Sequence, residues 1–221
     1  MILRIVLIFF LGITQVNAQL PKGFVYVDDL IPSIQVELRY LSDNNFVGKP
    51  IDGYKKDTAI LSKQAAIGLK GVQEELNTYN LSIKIFDSYR PQRAVDHFIR
   101  WARNISDTIN KGRFYPDVNK RDLFKEEYIA SRSGHSRGST MDITIIDLNT
   151  CEELDMGSTY DFFGKESWVD HKGISAQQRA NRMLLQNIMS KHGFRNYPKE
   201  WWHFTLRGEP FPETYFDFVI E

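Results

Sequence analysis

The segment from Ser133 to Ile146 constrains the fold more than any other part of this sequence. Its first half holds glycine and small polar residues, as expected of a tight loop. After Gly138 the chain alternates between apolar and polar residues with a period of two, as in Met141-Asp142-Ile143-Thr144-Ile145. This alternation predicts a strand that buries one face, with Asp142 and Thr144 on the opposite face.

The other periodic segments predict three helices and two more strands. Apolar residues at helical spacing favour helices over residues 58–79, with Asp57 as the cap, over 91–104, beginning at Pro91, and over 176–192, with Ser175 and Gln178 as a capping box. Short strands are predicted over residues 82–86 and 201–206, besides the strand over 140–146. Because helices and strands do not alternate regularly, the predicted class is α+β: a single domain with a small, mainly antiparallel sheet flanked by helices.

The first 18 residues form a separate element. A short basic start ending at Arg4 precedes the apolar run from Ile5 to Ile13, and Val16-Asn17-Ala18 suits a signal peptidase. We therefore predict a signal peptide over residues 1–18 and a catalytic domain over 19–221. The apolar run is short for a membrane span, so no stable membrane association is expected after cleavage.

Charge and cysteine content exclude several classes of protein. The chain carries 28 basic and 28 acidic residues, whereas a nucleic-acid-binding protein normally has a basic excess. Cys151 is its single cysteine, which rules out an intramolecular disulfide and a thiolate zinc cluster. An exported protein of this kind fits a bacterial periplasm, and nothing in the sequence indicates its oligomeric state.

Two kinds of chemistry compete for the loop before the predicted strand. Gly134-His135-Ser136-Arg137-Gly138 matches the Gly-x-Ser-x-Gly pattern of serine hydrolases, but that pattern needs a helix after the serine, and here a strand follows. The alternative is a metal site that combines His135 and Asp142 with His203, which lies in the third predicted strand. Three such ligands leave one position open, as hydrolytic zinc sites require. Taken alone, these residues also fit a buried histidine and a turn-capping aspartate.

A family resemblance bears on this choice. The pattern Ser133-x-His135-x-x-Gly138-x-x-x-Asp142, followed by Glu200-x-x-His203, resembles the zinc signature of the D-alanyl-D-alanine dipeptidases of the VanX type. Further blocks resemble that family in the same order: Leu38-Arg39-Tyr40, Asn45 to Tyr54, Asp87 to Pro91, Met156-Gly157-Ser158, Asp161-Phe162-Phe163 and Tyr215 to Phe218. One departure is Thr140, where the pattern usually has alanine.

The resemblance implies a role for each matching position. It implies one Zn²⁺ per chain, held by His135, Asp142 and His203. It implies that Glu200 is the catalytic carboxylate and that Arg90 stabilises charge on the scissile carbonyl oxygen. The positions implied to contact the substrate are Asp161 and Tyr40, near the free amine, and Ser133, in the cavity wall.

The implied activity is hydrolysis of the D-Ala-D-Ala dipeptide to two D-alanines, linked to peptidoglycan metabolism. The closest enzyme alternative is a D,D- or L,D-carboxypeptidase of the same zinc superfamily that acts on peptidoglycan stem peptides. From another class, a non-catalytic module that binds the cell wall is possible, although pure binding requires neither Glu200 nor Arg90.

Overall fold

A five-stranded sheet organises the protein, and our computed structural model describes residues 20–221. In chain order the strands are β1 (Phe24–Tyr26), β2 (Gln35–Val36), β3 (Ile60–Ser62), β4 (Leu81–Asp87), β5 (Thr140–Asp147), β6 (Phe194–Tyr197) and β7 (Glu200–Leu206). The main sheet has the order β2-β4-β5-β7-β6, while β1 and β3 form a separate antiparallel pair. Within the main sheet only the β2–β4 pair is parallel, among the residues described.

The described part of the chain forms five α-helices. They are α1 (Val27–Leu30), α2 (Lys63–Asn77), α3 (Gln92–Arg103), α4 (Lys111–Phe114) and α5 (Ala176–Lys191). Short 3₁₀ turns occur at Arg39–Leu41, Lys120–Asp122, Gly134–Arg137 and Lys165–Ser167. Because α2 packs on β4 and α5 packs on β6 and β7, the helices flank the sheet. The predicted α+β class with a small, mainly antiparallel sheet is therefore confirmed.

The first predicted helix starts later than its apolar spacing indicates. Residues 60–62 form β3, which pairs with β1, so α2 begins at Lys63 instead of Thr58. The predicted cap, Asp57, is therefore wrong. The side chain of Ser62 accepts the hydrogen bond from the Ala65 amide, while Asp57 accepts one from the Leu38 amide at 2.8 Å.

The other two predicted helices hold to within one residue at each end. Pro91 is the residue before the first turn of α3, and Ser175 and Gln178 form a reciprocal capping box at α5. The predicted signal peptide over residues 1–18 lies outside the described residues. From residue 20 onward, no helix is both long and apolar enough to cross a membrane.

The alternating pattern of β5 directs its side chains to two faces, and both faces are buried. Met141, Ile143 and Ile145 are fully buried in the core, as the sequence predicts. Since successive side chains of a strand point to opposite faces, Asp142 lies on the other face. That face lines a cavity, which contains the candidate active site.

Candidate active site

Three neighbouring strands place Asp87, Asp142 and His203 in one row across the sheet. Asp142 pairs with Asp87 on β4 and with His203 on β7. The Asp87 pairing follows a register irregularity after Ile85, close to the end of β4. Since cross-strand partners share a face, the row brings side chains from three distant parts of the sequence to one side of the sheet.

The turn before β5 presents His135 to this row. Its 3₁₀ turn starts at Ser133, whose hydroxyl accepts a hydrogen bond from the His135 amide at 3.3 Å. It ends at Gly138, which has a left-handed φ of +80°. A Cβ there would lie 2.2 Å from the Phe24 ring, so both the backbone conformation and the space favour glycine.

The carbonyl oxygen of Ser88 fixes which nitrogen of His135 is free. His135 Nδ1 lies 2.7 Å from that oxygen, which can only accept, so Nδ1 carries the proton. Nε2 therefore presents its lone pair to the row, 3.3 Å from Asp142 Oδ1 and 3.3 Å from His203 Nδ1. A hydrogen bond from the other ring nitrogen typically orients a metal-bound histidine in this way.

The spacing of the three donor atoms fits a zinc ion. His203 Nδ1 lies 3.0 Å from Asp142 Oδ1, which completes a triangle with edges of 3.0 to 3.3 Å. Tetrahedral zinc with bonds of about 2.0–2.1 Å requires ligand atoms about 3.3 Å apart. Among the residues described, Asp142 Oδ1 is buried without a hydrogen bond, so its lone pairs remain available to a cation.

Burial and charge favour the metal-binding state of Asp142 and His135, but not that of His203. Burial tends to raise the pKa of Asp142, but His135 and His203 outweigh it and hold that pKa well below its usual range. Burial is also the main reason that the pKa of His135 is lowered, which keeps its imidazole neutral. Deprotonated ligands are the form that a metal requires. Burial tends to lower the pKa of His203, yet its hydrogen bond to Asp142 and the Asp142 charge outweigh burial and raise that pKa, so zinc would displace a proton from this ligand.

Glu200 reaches the same point from β7. In a regular strand, residues three apart point to opposite faces, yet Glu200 Oε2 lies 3.3 Å from His203 Nδ1. A register irregularity between β6 and β7, opposite Asn196 and Tyr197, accompanies this approach. Burial, and then the Asp142 charge, raise the pKa of Glu200 against the opposing effect of His203. A carboxylate with a raised pKa is suited to take up and release a proton.

Arg90 is held beside the row by two carboxylates. Its Nε and Nη2 each lie 2.7 Å from Asp87 Oδ2, and its Nη2 lies 3.4 Å from Asp142 Oδ2. The guanidinium also lies over the Tyr40 ring, 5.0 Å from its centroid. A buried cation fixed on several sides cannot turn away from the cavity that it lines.

A chain of hydroxyl groups links Asp161 to the metal ligands. The Tyr40 hydroxyl donates to both carboxylate oxygens of Asp161, at 3.1 and 2.9 Å. The Tyr160 hydroxyl lies 3.1 Å from Asp142 Oδ2 and 3.3 Å from the Tyr40 hydroxyl. Burial, and then the Asp142 charge, raise the pKa of Asp161 well above its usual range. The ionised form of such a carboxyl group is strongly stabilised when a cation binds beside it.

A buried arginine in α5 fixes the loop that carries Tyr160 and Asp161. Arg182 donates to the carbonyl oxygens of Met156, Glu166 and Trp168, each at 2.6 Å. Burial lowers the pKa of Arg182 to about 10, because no carboxylate bonds directly to its guanidinium. The loop is therefore tied to α5 at both of its ends.

The candidate active site lies in one cavity of about 430 Å³, a size typical of small-ligand sites. All eight residues that the sequence singled out lie around it: His135, Asp142, His203, Glu200, Arg90, Asp161, Tyr40 and Ser133. The hydroxyl of Ser136, by contrast, is buried and has no hydrogen-bond partner within residues 20–221, and this residue does not line the cavity. Ser136 therefore lacks the exposed position that a nucleophile needs.

Sequence reasoning missed three residues that support the site. Asp87 and Ser88 begin the block that was noted for its resemblance, and Tyr160 directly precedes Asp161. Their positions in the sequence, next to residues with an implied role, are the signal that could have indicated them. Their contacts, however, depend on strand pairing and loop folding, which no local pattern reveals.

Comparison with known proteins agrees with this arrangement. The family model described as D-ala-D-ala dipeptidase, within the peptidase M15 group, matches residues 21–221. A protein named D-alanyl-D-alanine dipeptidase from Streptomyces coelicolor is 41% identical over 197 residues, covering 89% of this chain and 98% of its own. Proteins of the same name from Enterococcus faecalis and Enterococcus faecium are 39% and 37% identical, each covering 90% of this chain and 98% of their own. The chain therefore belongs to the D-alanyl-D-alanine dipeptidase family of peptidases.

Proposed function

We propose that this protein is an exported zinc dipeptidase that hydrolyses D-Ala-D-Ala to two D-alanines. The observation that carries the proposal is the triangle of His135, Asp142 and His203, with Glu200 3.3 Å from one of its corners. Three ligands with an adjacent carboxylate are typical of sites that use zinc for hydrolysis. The names of the relatives supply the substrate.

Residues of the triangle would hold the ion, and Glu200 would move protons. When bound, zinc supplies a Lewis acid that acidifies water and polarises a carbonyl group. Glu200 accepts a proton from the attacking water and delivers it to the nitrogen of the leaving D-alanine. Its raised pKa makes it a stronger base than an ordinary carboxylate and so favours removal of the proton from water.

Arg90 would stabilise the charge that develops on the scissile carbonyl oxygen. Its guanidinium is already fixed by Asp87 and Asp142, so little reorganisation is needed when that charge appears. Two negative partners offset its charge in the substrate-free enzyme. The remaining donor capacity of its guanidinium is available to an oxyanion in the cavity.

Asp161 would bind the free ammonium group of the dipeptide. Its carboxylate is buried and accepts bonds only from Tyr40 among the residues described. A buried carboxyl group with a raised pKa is stabilised when a cation arrives. This favours peptides with a charged amino end over peptides whose amine is acylated.

We further propose that residues 1–18 are removed on export and that the mature enzyme, residues 19–221, acts in a bacterial periplasm. The basic start, apolar run and small residues before Gln19 support this location. In such a compartment, D-Ala-D-Ala would come from the cell wall, and its hydrolysis would recover D-alanine.

The test combines metal analysis with hydrolysis by protein that begins at Gln19. We expect about one zinc per chain, release of D-alanine from D-Ala-D-Ala, and loss of activity on chelation. Zinc should restore activity, while a serine-directed acylating reagent should have no effect. Faster cleavage of a stem pentapeptide than of the dipeptide would contradict the proposal and favour a carboxypeptidase.

A further inference from the structure

The cavity has a wall that the proposed chemistry does not use. Residues 127–130 form this wall, and Tyr197, Glu200 and His203 line the same cavity. The chain folds back sharply here, since the amides of Tyr128 and Ile129 both bond to the carbonyl oxygen of Leu123. Leu123 and Ile129 are buried and anchor the segment, whereas Glu127 is exposed.

Tyr128 belongs to a run of contacting rings that continues through Phe163 and Phe46 to Tyr40, the hydrogen-bond partner of Asp161. Its ring stacks on Phe163, with centroids 4.8 Å apart and an interplanar angle of 14°. Phe163 is buried two residues after Asp161, and all three side chains line the cavity. A peptide extended beyond its ammonium group at Asp161 would therefore meet the Tyr128 ring.

An ion pair joins this wall to the residue that precedes β7. Lys199 Nζ lies 2.6 Å from Glu127 Oε2 and 3.4 Å from the carbonyl oxygen of Glu126. Lys199 directly precedes Glu200 in the chain, so the contact ties this wall to the start of β7, which carries Glu200 and His203. The Glu127 side chain is 66% exposed, and exposed ion pairs of this kind break easily.

Glu127 itself has an unfavourable backbone conformation. Its φ of +67° lies in the left-handed region, which residues with a Cβ seldom adopt. Such strain is maintained only while neighbouring contacts hold it, and here the Lys199 contact is one of them. The ion pair and the strained backbone at Glu127 therefore belong to one local arrangement, in which the Lys199 contact helps to hold the wall in place.

We propose that Tyr128 is a specificity-determining residue. Held by the contact between Glu127 and Lys199, its ring closes the cavity beyond the substrate ammonium and excludes peptides that are extended or acylated there. This inference rests on the proposed function and identifies the part of the chain that limits the substrate to a dipeptide.

The first test measures binding without turnover. In zinc-loaded protein carrying Glu200→Ala, calorimetry compares D-Ala-D-Ala with its N-acetyl form. We expect Tyr128→Ala to reduce the preference for the free dipeptide by about 10-fold or more. Tyr128→Phe, which retains the ring, should keep the preference. Tyr79→Ala, which changes a remote tyrosine that is 61% exposed, controls for loss of an aromatic ring elsewhere.

The second test leaves every ring of the cavity in place. Glu127→Lys and Lys199→Glu each break the ion pair, and the double variant restores it with reversed charges. Each single change should reduce the same preference about two- to fivefold, and the double variant should recover it. Additive effects of the two changes would contradict the proposed closure.

The outcomes separate this inference from the proposed function. An unchanged preference in Tyr128→Ala overturns the inference, even if native enzyme hydrolyses D-Ala-D-Ala. Binding of the free dipeptide without hydrolysis by native enzyme contradicts the proposed function alone. If native and Glu200→Ala proteins bind neither peptide, both proposals fail.

Discussion

Asp142 and His203 stand directly opposite each other on antiparallel strands, with His203 Nδ1 3.0 Å from Asp142 Oδ1. The β5–β7 register therefore sets one edge of the metal triangle, the distance between His203 Nδ1 and Asp142 Oδ1. His135 completes the triangle from a turn that is fixed by Ser88 and Gly138. Sheet and turn can therefore be tested separately through the residues that each contributes.

Replacing Glu200 or His203 should separate catalysis from metal binding. Glu200→Ala removes the proton acceptor but leaves the triangle, so turnover should fall by about 10²–10⁴-fold or more while zinc is retained. His203→Ala removes a ligand, so zinc affinity should fall as well. Zinc content and D-alanine release are measured on the same samples. Near-native turnover by Glu200→Ala would refute the assigned role.

Tyr160→Phe tests the hydroxyl that supports Asp142. Losing the 3.1 Å contact with Asp142 Oδ2 should weaken zinc binding by about 10–100-fold, as with other residues that orient metal ligands. Tyr115→Phe is the matched control, because the buried Tyr115 hydroxyl has no hydrogen-bond partner in the part of the chain that the structure describes. Competition with a chelator of known affinity measures both. Equal affinities for the two variants would show that the Tyr160 hydroxyl has no such role.

Asp161 should lower stability at neutral pH in exchange for substrate binding. Its raised pKa means that the folded protein holds this proton more tightly than the unfolded chain does. The contribution of protonated Asp161 to the free energy of unfolding is full below about pH 3.9, and it is lost as the pH rises through the raised pKa. Asp161→Asn, which cannot ionise, should therefore raise the Tm at pH 7 while raising the KM for D-Ala-D-Ala. A gain of 1 kcal/mol would appear as about 2–4 °C.

Asp155 provides a control of opposite sign. Bonds from Gln178 and from the Gly157 amide lower its pKa, so its contribution is present above the ordinary carboxyl pKa and is lost as pH falls. Asp155→Asn should therefore lower the Tm at pH 7, and the difference should shrink in acid. Thermal unfolding of both variants across pH checks the two signs. A lower Tm for Asp161→Asn at pH 7 would contradict the burial argument.

Gly138→Ala should damage the turn that presents His135. The left-handed φ and the 2.2 Å approach to Phe24 both oppose a side chain, so we expect a loss of about 1–3 kcal/mol and weaker zinc binding. Gly112→Ala in α4 is the control, because nothing lies within 4 Å of the added Cβ. Denaturant unfolding measures both variants. Equal stability of the two would contradict the strain argument.

Local patterns in the sequence were sufficient to predict β5 and the side of it that bears Asp142. Apolar and polar residues alternate strictly from Met141 to Ile145, and the apolar ones are buried in the core. The residues alone made His203 a candidate third ligand, while the resemblance supported that choice and implied the catalytic role of Glu200. Two residues three apart in a strand would not be expected to converge. A register irregularity between β6 and β7 accompanies this approach, and no periodic pattern encodes it.

Tertiary contacts decided what the sequence did not reveal. The start of α2 was misplaced because the pairing of β3 with β1 outweighs helical spacing at residues 60–62. The cavity wall at residues 127–130 has no periodicity, and its shape depends on contacts with Leu123, Phe163 and Lys199. Such contacts join positions far apart in sequence, so local propensity carries little information about them.

The row of Asp87, Asp142 and His203 has a consequence for how the enzyme matures. Its members lie far apart along the chain, so the row assembles only after slow, long-range strand pairing is complete. A slip of one residue between β5 and β7 would turn Asp142 and His203 to opposite faces. Zinc binding by Asp142 and His203 therefore requires the native register of β5 and β7, so metal affinity would report whether these two strands are correctly paired.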